Sequence, residues 1–271
     1  MSELFRLKHQ LWLSFTFGSF AHPDSSIKDR LYEFSMIEFR HLKWLASHLY
    51  ENNIPYDYSR DVDFSITARD DRELLANIVS NIHEVQKLYL DSELFSRMRD
   101  DERYFIYELE NLSNDETQTI NAFNKNLKYL DASMDKSELD ALVLFLFEEL
   151  YKEYELILIY FYQQTRAKDI AEFSSFDDLI YESHFHLRSF GEMMSELGVL
   201  ALPRQLHPRT YIIEDLKSFL IAGIAEEEAA KEQCKALSSA IKYEPLSRFF
   251  DFINLQESYH IAIMKKLLQR Y

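Results

Sequence analysis

The stretch Leu255-Gln256-Glu257-Ser258-Tyr259-His260-Ile261-Ala262-Ile263-Met264 decides how the rest of the chain is read. It lies inside an apolar-periodic segment, Leu246 to Leu268, that contains no Gly or Pro, so a helix is expected. Glu257 and His260, three residues apart, then project from one helix face. Phe250, Ile253 and Met264 share that face, which points the pair into the core. Burying a carboxylate beside an imidazole is costly unless something compensates, and a divalent cation does so well. Four-helix bundles that hold two metal ions use inward Glu-x-x-His on two helices and one Glu from each of the other two.

The half of the chain around this stretch offers the remaining parts. Its expected helices run over ~138–166, ~176–198 (ended by Gly198), ~211–241 and ~245–270. The first carries Glu153, with Tyr160 seven residues on, on the same face. The second carries Glu182 and His186, four apart and so on one face, with His184 near by. The third carries Glu226-Glu227-Glu228, of which one or two must turn inward; Glu228 is preferred and Glu227 held in reserve. With Glu257 and His260 on the fourth, every helix contributes, and the set comprises four carboxylates and two histidines.

The preceding half repeats the pattern. Helices are expected over ~4–20, ended near Gly18 and Pro23, and ~26–52, capped by Ser25 or Ser26. Two more are expected over ~70–95 and ~98–128, joined in the charged region around Arg97 to Arg103. The polar run Leu130-Asp131-Ala132-Ser133-Met134-Asp135-Lys136-Ser137 marks a boundary, giving domains at 1–130 and 137–271. In each, a long connection separates the second and third helices. His41-Leu42-Lys43-Trp44-Leu45 matches His186-Leu187-Arg188-Ser189-Phe190 in type and place, which points to a tandem duplication.

Part of the ligand set is missing from this first half. Glu38-Phe39-Arg40-His41 has the Glu-x-x-His spacing, and Glu84, followed by Tyr89, sits on the third helix. The fourth has Asp115-Glu116-Thr117-Gln118-Thr119, with Thr119 where the pattern calls for His. Gln10 aligns with Glu153 and Phe17 with Tyr160. Thr and neutral Gln are poor ligands for two divalent cations. The weaker set Glu38, His41, Glu84 and Glu116 is expected to bind one metal ion weakly or none.

Composition sets outer limits. The 271 residues are 47% hydrophobic and 15% aromatic, ample for packed cores, while 4 Gly and 5 Pro are too few for a turn-rich β fold. A net charge of −16 argues against a nucleic-acid partner. One cysteine, Cys234, excludes a disulfide framework and any site built from several thiolates. Neither a signal peptide nor a membrane-length apolar run is recognised, so a soluble, cytoplasmic protein with no membrane partner is expected. Tyr160, Tyr181, Tyr259 and Cys234 are expected to be core residues.

The inventory Glu153, Glu182, His186, Glu228, Glu257 and His260 resembles that of the ferritin-like di-iron carboxylate superfamily, rubrerythrin-type bundles most closely. The resemblance spans nearly the whole chain as two successive bundles. It departs at Glu182-x-x-x-His186, where the family has Glu-x-x-His. It implies an all-α fold of two tandem ferritin-like four-helix bundles, each with a long crossover between helices two and three. It further implies two Fe ions, or Mn, in the C-terminal bundle, reacting with O2 or peroxide in ferroxidase- or peroxidase-type oxidoreductase chemistry. The four-cysteine rubredoxin module of a complete rubrerythrin is lacking, so electrons would come from a separate donor. A homodimer is compatible with this layout. The alternatives are a non-catalytic iron-binding protein and a metal-free helical scaffold.

Overall fold

The computed structural model describes residues 1–60, 63–112, 117–120 and 134–271. Their regular structure is helical: α1 (Ser2–Ala21), α2 (Ser25–Glu51), α3 (Asp71–Gln86), α4 (Glu93–Asn111), α5 (Lys136–Gln164), α6 (Ile170–Glu196), α7 (Pro208–Tyr211), α8 (Leu216–Ala240) and α9 (Glu244–Leu268). Among the described residues the β-type pairing is one isolated antiparallel bridge, Asp70 with Thr119. No described helix is long and apolar enough to cross a membrane.

The chain divides into two compact units: Met1–Asn126 with Leu197–Pro208, and Leu127–Glu196 with Arg209–Tyr271. The Pro203-bearing connection after α6 thus belongs with the first unit, where the Arg60 guanidinium donates to the Pro203 carbonyl at 3.3 Å.

Short acidic and hydroxyl side chains start most of the long helices. Such a side chain satisfies backbone N–H groups that the first turn leaves without partners, typically contributing ~1 kcal/mol. Asp24, rather than Ser25 or Ser26, caps α2 by accepting from the Ser26 and Ile27 amides. Asp70 caps α3, Ser92 α4 and Asp215 α8, and Asp135 forms a reciprocal capping box with Glu138 at the start of α5.

The end of α1 at Ala21, between Gly18 and Pro23, is as expected, and two expected boundaries are corrected. The join between α3 and α4 falls at 87–92, because the Ser92 cap restarts the helix; the charged region expected to be the join lies inside α4. Finally, α4 stops at Asn111, and Thr119 sits beside the start of α3 instead of extending α4. There the Asp71 amide donates to the Gln118 carbonyl at 3.0 Å, and the Gln118 amide to the Asp71 carboxylate at 3.0 Å. Glu116 lies outside the described residues.

The two units share one order of helix neighbours. In the first, α1 packs on α2 and α3, and α4 on α3 and α2. In the second, α5 packs on α6 and α8, and α9 on α8 and α6. Each is a closed ring of four helices whose inward stripes meet, burying aromatic residues at ~1.5–3 kcal/mol each. Phe105 stacks on Phe34 at 4.3 Å and meets Phe15 edge-on at 5.7 Å. Phe145 meets Phe190 and Phe250 edge-on at 5.6 and 5.4 Å. These aromatic layers flank the polar clusters described next.

Candidate metal centre

In the second unit the inward face of α5 carries Glu149 and Glu153, one helical turn apart, both buried. Buried His186 comes from α6, Glu227 from α8, and Glu257 and His260 from α9. Glu257 stands at the middle. One of its oxygens, Oε1, faces His186 Nδ1 at 3.7 Å, and the other, Oε2, faces His260 Nδ1 at 3.1 Å. The two imidazole rings lie 5.3 Å apart. Each histidine also has a carboxylate of its own: Glu153 Oε1 at 2.9 Å from His186 Nδ1, and Glu227 Oε2 at 3.8 Å from His260 Nδ1.

Gln256 fixes the outer edge of His186. Its Oε1 accepts from His186 Nε2 at 3.2 Å, while its Nε2 donates to the Glu182 carboxylate. This leaves Nδ1 as the ring nitrogen turned into the cluster, with a polar partner behind the ring that sets its orientation. Glu153 Oε2, His260 Nε2 and the Tyr160 hydroxyl are buried there without hydrogen-bond partners.

So much negative charge inside one unit has titration consequences. Burial, together with Glu153 and Glu227, pushes the Glu149 carboxyl up to about 7. Burial and the neighbouring Glu227 also hold the Glu257 carboxyl above the ordinary range. Glu227, despite burial, is held down by its hydrogen bonds to Glu257 and His260. Burial alone would lower His260, but Glu227 and Glu257 raise it to about 10. Half-buried Lys152 acts on Glu149 and Glu227 through space.

A carboxyl or imidazole whose pKa is raised by folding stabilises below its unfolded value and loses that contribution as pH rises through its folded value. For Glu149 that window runs from 4.5 to about 7, and for His260 from 6.5 to about 10. Denaturant unfolding of the chelator-treated protein is therefore expected to show lower stability at pH 9 than at pH 6. Equal or greater stability at pH 9 would contradict this electrostatic account.

The first unit builds a parallel cluster with one difference. Buried Lys8 of α1 donates to Glu38 Oε2, to His41 Nδ1 at 3.1 Å and to Glu102 Oε1 at 2.9 Å. Asp101 accepts from His41 Nε2 at 3.1 Å and is itself paired with Arg97 at 2.9 Å. The Tyr89 hydroxyl donates to Glu102. Burial alone would lower the Lys8 pKa, but Glu38 and Glu102 raise it, so the ammonium stays charged. Burial would likewise raise Glu38, and Lys8 with His41 reverses that.

One sequence separation relates Lys8 to Glu153, Glu38 to Ser183 and His41 to His186; a second relates Asp101 to Gln256, Glu102 to Glu257 and Phe105 to His260. The contacts agree: each inner Nδ1 meets the residue from the first helix of its unit, and each outer Nε2 meets the residue preceding the central Glu. Lys8, not Gln10, is therefore the counterpart of Glu153, and Phe15, not Phe17, that of Tyr160.

The expected residues thus separate into groups. Glu153, His186, Glu257 and His260 meet in the second unit, and Glu38 and His41 in the first. Glu228 does not join them. Its side chain is 58% exposed and pairs with Lys265, whereas Glu227, one residue back and on the stripe of Leu220 and Cys234, faces inward. Glu182 lies outside the cluster behind Gln256, because the helix turns Ser183 inward at that level. Glu84 is exposed and paired with Lys87 at 2.5 Å. Tyr181 and Tyr259 are exposed rather than core, Tyr259 donating to Asp178 at 3.3 Å, while Tyr160 and Cys234 are buried. Lys8, Glu102, Glu149 and Gln256 were not expected. Lys8 shares the stripe of Leu4, Phe5, Trp12 and Phe15, and Glu102 that of Phe95, Met98, Phe105 and Leu109. A charged residue on an apolar stripe was the available signal.

The chain matches no protein-family model, no curated protein and no solved structure.

Proposed function

We propose that the chain is a tandem pair of ferritin-like four-helix bundles whose second bundle holds a dinuclear divalent metal centre, iron or manganese. The supporting observation is Glu257, whose two oxygens face opposite histidines, each backed by a carboxylate of its own. Glu153 and His186 would serve one ion, Glu227 and His260 the other, and Glu257 would bridge them. Carboxylate and imidazole donors without thiolate suit these metals. Among the described residues no lysine donates into this cluster as Lys8 does in the first unit, and half-buried Lys152 acts on its carboxylates through space.

Two metal ions held by a shared carboxylate would supply two electrons for reduction of O2 or peroxide. The side chains prepare the site for this. Gln256, held by Glu182, keeps the His186 Nδ1 lone pair available once its proton leaves. Glu257 and His260 would release protons as a cation binds, and Glu149, one helical turn from Glu153 and pushed up to about 7, would be able to take one up at near-neutral pH. Tyr160, pushed well above its ordinary range chiefly by burial, stays a phenol with a free hydroxyl beside the cluster. Electrons would come from a separate donor, giving ferroxidase- or peroxidase-type turnover.

A second reading, metal binding without turnover, is favoured by Ser183, which stands where the first unit has Glu38 and removes a second bridging carboxylate. Elemental analysis of protein from iron-supplemented cells is expected to give about two metal ions per chain, lost in Glu257→Ala/His260→Ala. No metal in a folded wild-type chain would sink both readings. Stopped-flow oxidation of added Fe(II) by O2 or peroxide then separates them: turnover supports the enzyme, and its absence with metal bound supports the buffer.

A further inference from the structure

We infer that Lys8 is a built-in cation in the metal position of the first unit, and that Glu38, His41 and Glu102 form a latent divalent-cation site which Lys8 keeps closed. An ammonium has three N–H donors, and Lys8 directs them to three acceptors on two other helices: Glu38 Oε2, His41 Nδ1 and Glu102 Oε1. These three residues offer ligand atoms that lie within 4.8 Å of one another, close enough to share one ion. The His41 tautomer is already the one a metal needs. Its Nε2 proton is held by Asp101, and the Nδ1 lone pair faces the positive charge. Glu38 Oε1, 3.5 Å from His41 Nδ1, and Glu102 Oε2 are buried and accept no hydrogen bond, so each carboxylate has a further lone pair to give. Metal–ligand bonds of about 2.0–2.2 Å require His41 Nδ1 and Glu102 Oε1 to close by about 0.7–1.1 Å from their ammonium distances of 3.1 and 2.9 Å.

The equivalence of Lys8 with Glu153 extends the reading of the second unit as a metal centre, but the closure by Lys8 stands on the first unit's own contacts. The two units then divide a single design, one neutralised from within and one dependent on an external cation. On this account the first unit takes no metal in the native chain.

The test uses full-length protein in which Glu257→Ala/His260→Ala removes the second-unit cluster, and Co(II) as the probe in equilibrium dialysis. That background is expected to retain no Co(II). Adding Lys8→Ala is expected to create a site for about one Co(II) per chain. Adding Glu38→Gln and Glu102→Gln as well, which removes the uncompensated charge, is expected to leave a folded chain that binds none. Should the Lys8→Ala chain fold only with Co(II) present, recovery of helicity on adding the ion supports the inference. Failure to bind or to recover overturns it, as does equal Co(II) uptake with Lys8 intact. Comparison of the wild-type chain with the background alone reports separately on the second unit.

Discussion

Glu257→Gln is expected to stabilise the metal-free protein and to destabilise the metal-loaded one. Without a cation, Glu257 shares a buried space with Glu153 and Glu227, and its carboxyl is held above the ordinary range. Once that carboxyl ionises, above about pH 8, two like charges about 4 Å apart repel by roughly 4 kcal/mol at an effective dielectric of 20, and each ion loses several kcal/mol of hydration. A neutral amide of the same shape carries neither the charge nor its desolvation penalty, so it relieves that strain wherever the Glu257 carboxyl would otherwise be ionised. With metal bound the sign reverses, because the amide cannot bridge two cations with two anionic oxygens. Since ligation to the native state alone stabilises by ~4.1 kcal/mol at a thousandfold excess of metal over Kd, the loss of that linkage outweighs any gain smaller than this. Unfolding midpoints with chelator and with Mn(II) should cross between the two proteins. Shifts of the same sign in both conditions would remove Glu257 from the role of bridge.

That inversion explains why the second unit carries a stability liability at its centre. A core selected for packing alone would not gather Glu149, Glu153, Glu227 and Glu257 around two histidines. Residues that break the local rule of burying apolar groups are where function is expected to reside. The neighbouring aromatic layer, Phe145 against Phe190 and Phe250, supplies rigid support one and two turns from these carboxylates.

The helical class and most helix limits were legible in the sequence, because they depend on periodicity and caps that act within a few residues. The long connections were legible for the same reason: Pro55 and Pro203 interrupt strong patterns. What failed were assignments that depended on a rotation of one residue. Glu227 and Glu228 differ by ~100° around α8, and only packing against α9 and α5 decides which faces inward. Ser183, rather than Glu182, shares the inner face with His186 for a similar reason, and a serine carries no ligand signal. The α3–α4 join was misplaced because the charged region 97–103 looked like a surface turn. In fact Glu102 there is a core residue compensated by Lys8, more than ninety positions away. Pairing of that range leaves no mark on a local pattern.

The same pairing makes Lys8→Met the most damaging single substitution expected in the first unit. Methionine fills the lysine's volume, so the loss is almost purely of charge and three hydrogen bonds. Glu38 and Glu102 would be left buried, with Tyr89 still donating to Glu102 and nothing neutralising Glu38 except His41. Removing one partner of a buried ion pair usually costs about 3–5 kcal/mol, because the remaining charge keeps its desolvation penalty without its compensation. If that reasoning holds, the loss belongs to the stranded carboxylates rather than to Lys8 packing. Lys8→Met/Glu38→Gln/Glu102→Gln should then recover most of it in chelator, where no cation can intervene. Guanidinium unfolding followed by Trp12 and Trp44 fluorescence reports on this unit, since both tryptophans lie in it. A triple variant as unstable as the single one would show that Lys8 supports the unit by its shape. Recovery would show that a lone ammonium supplies the charge that, in the second unit, we assign to metal ions.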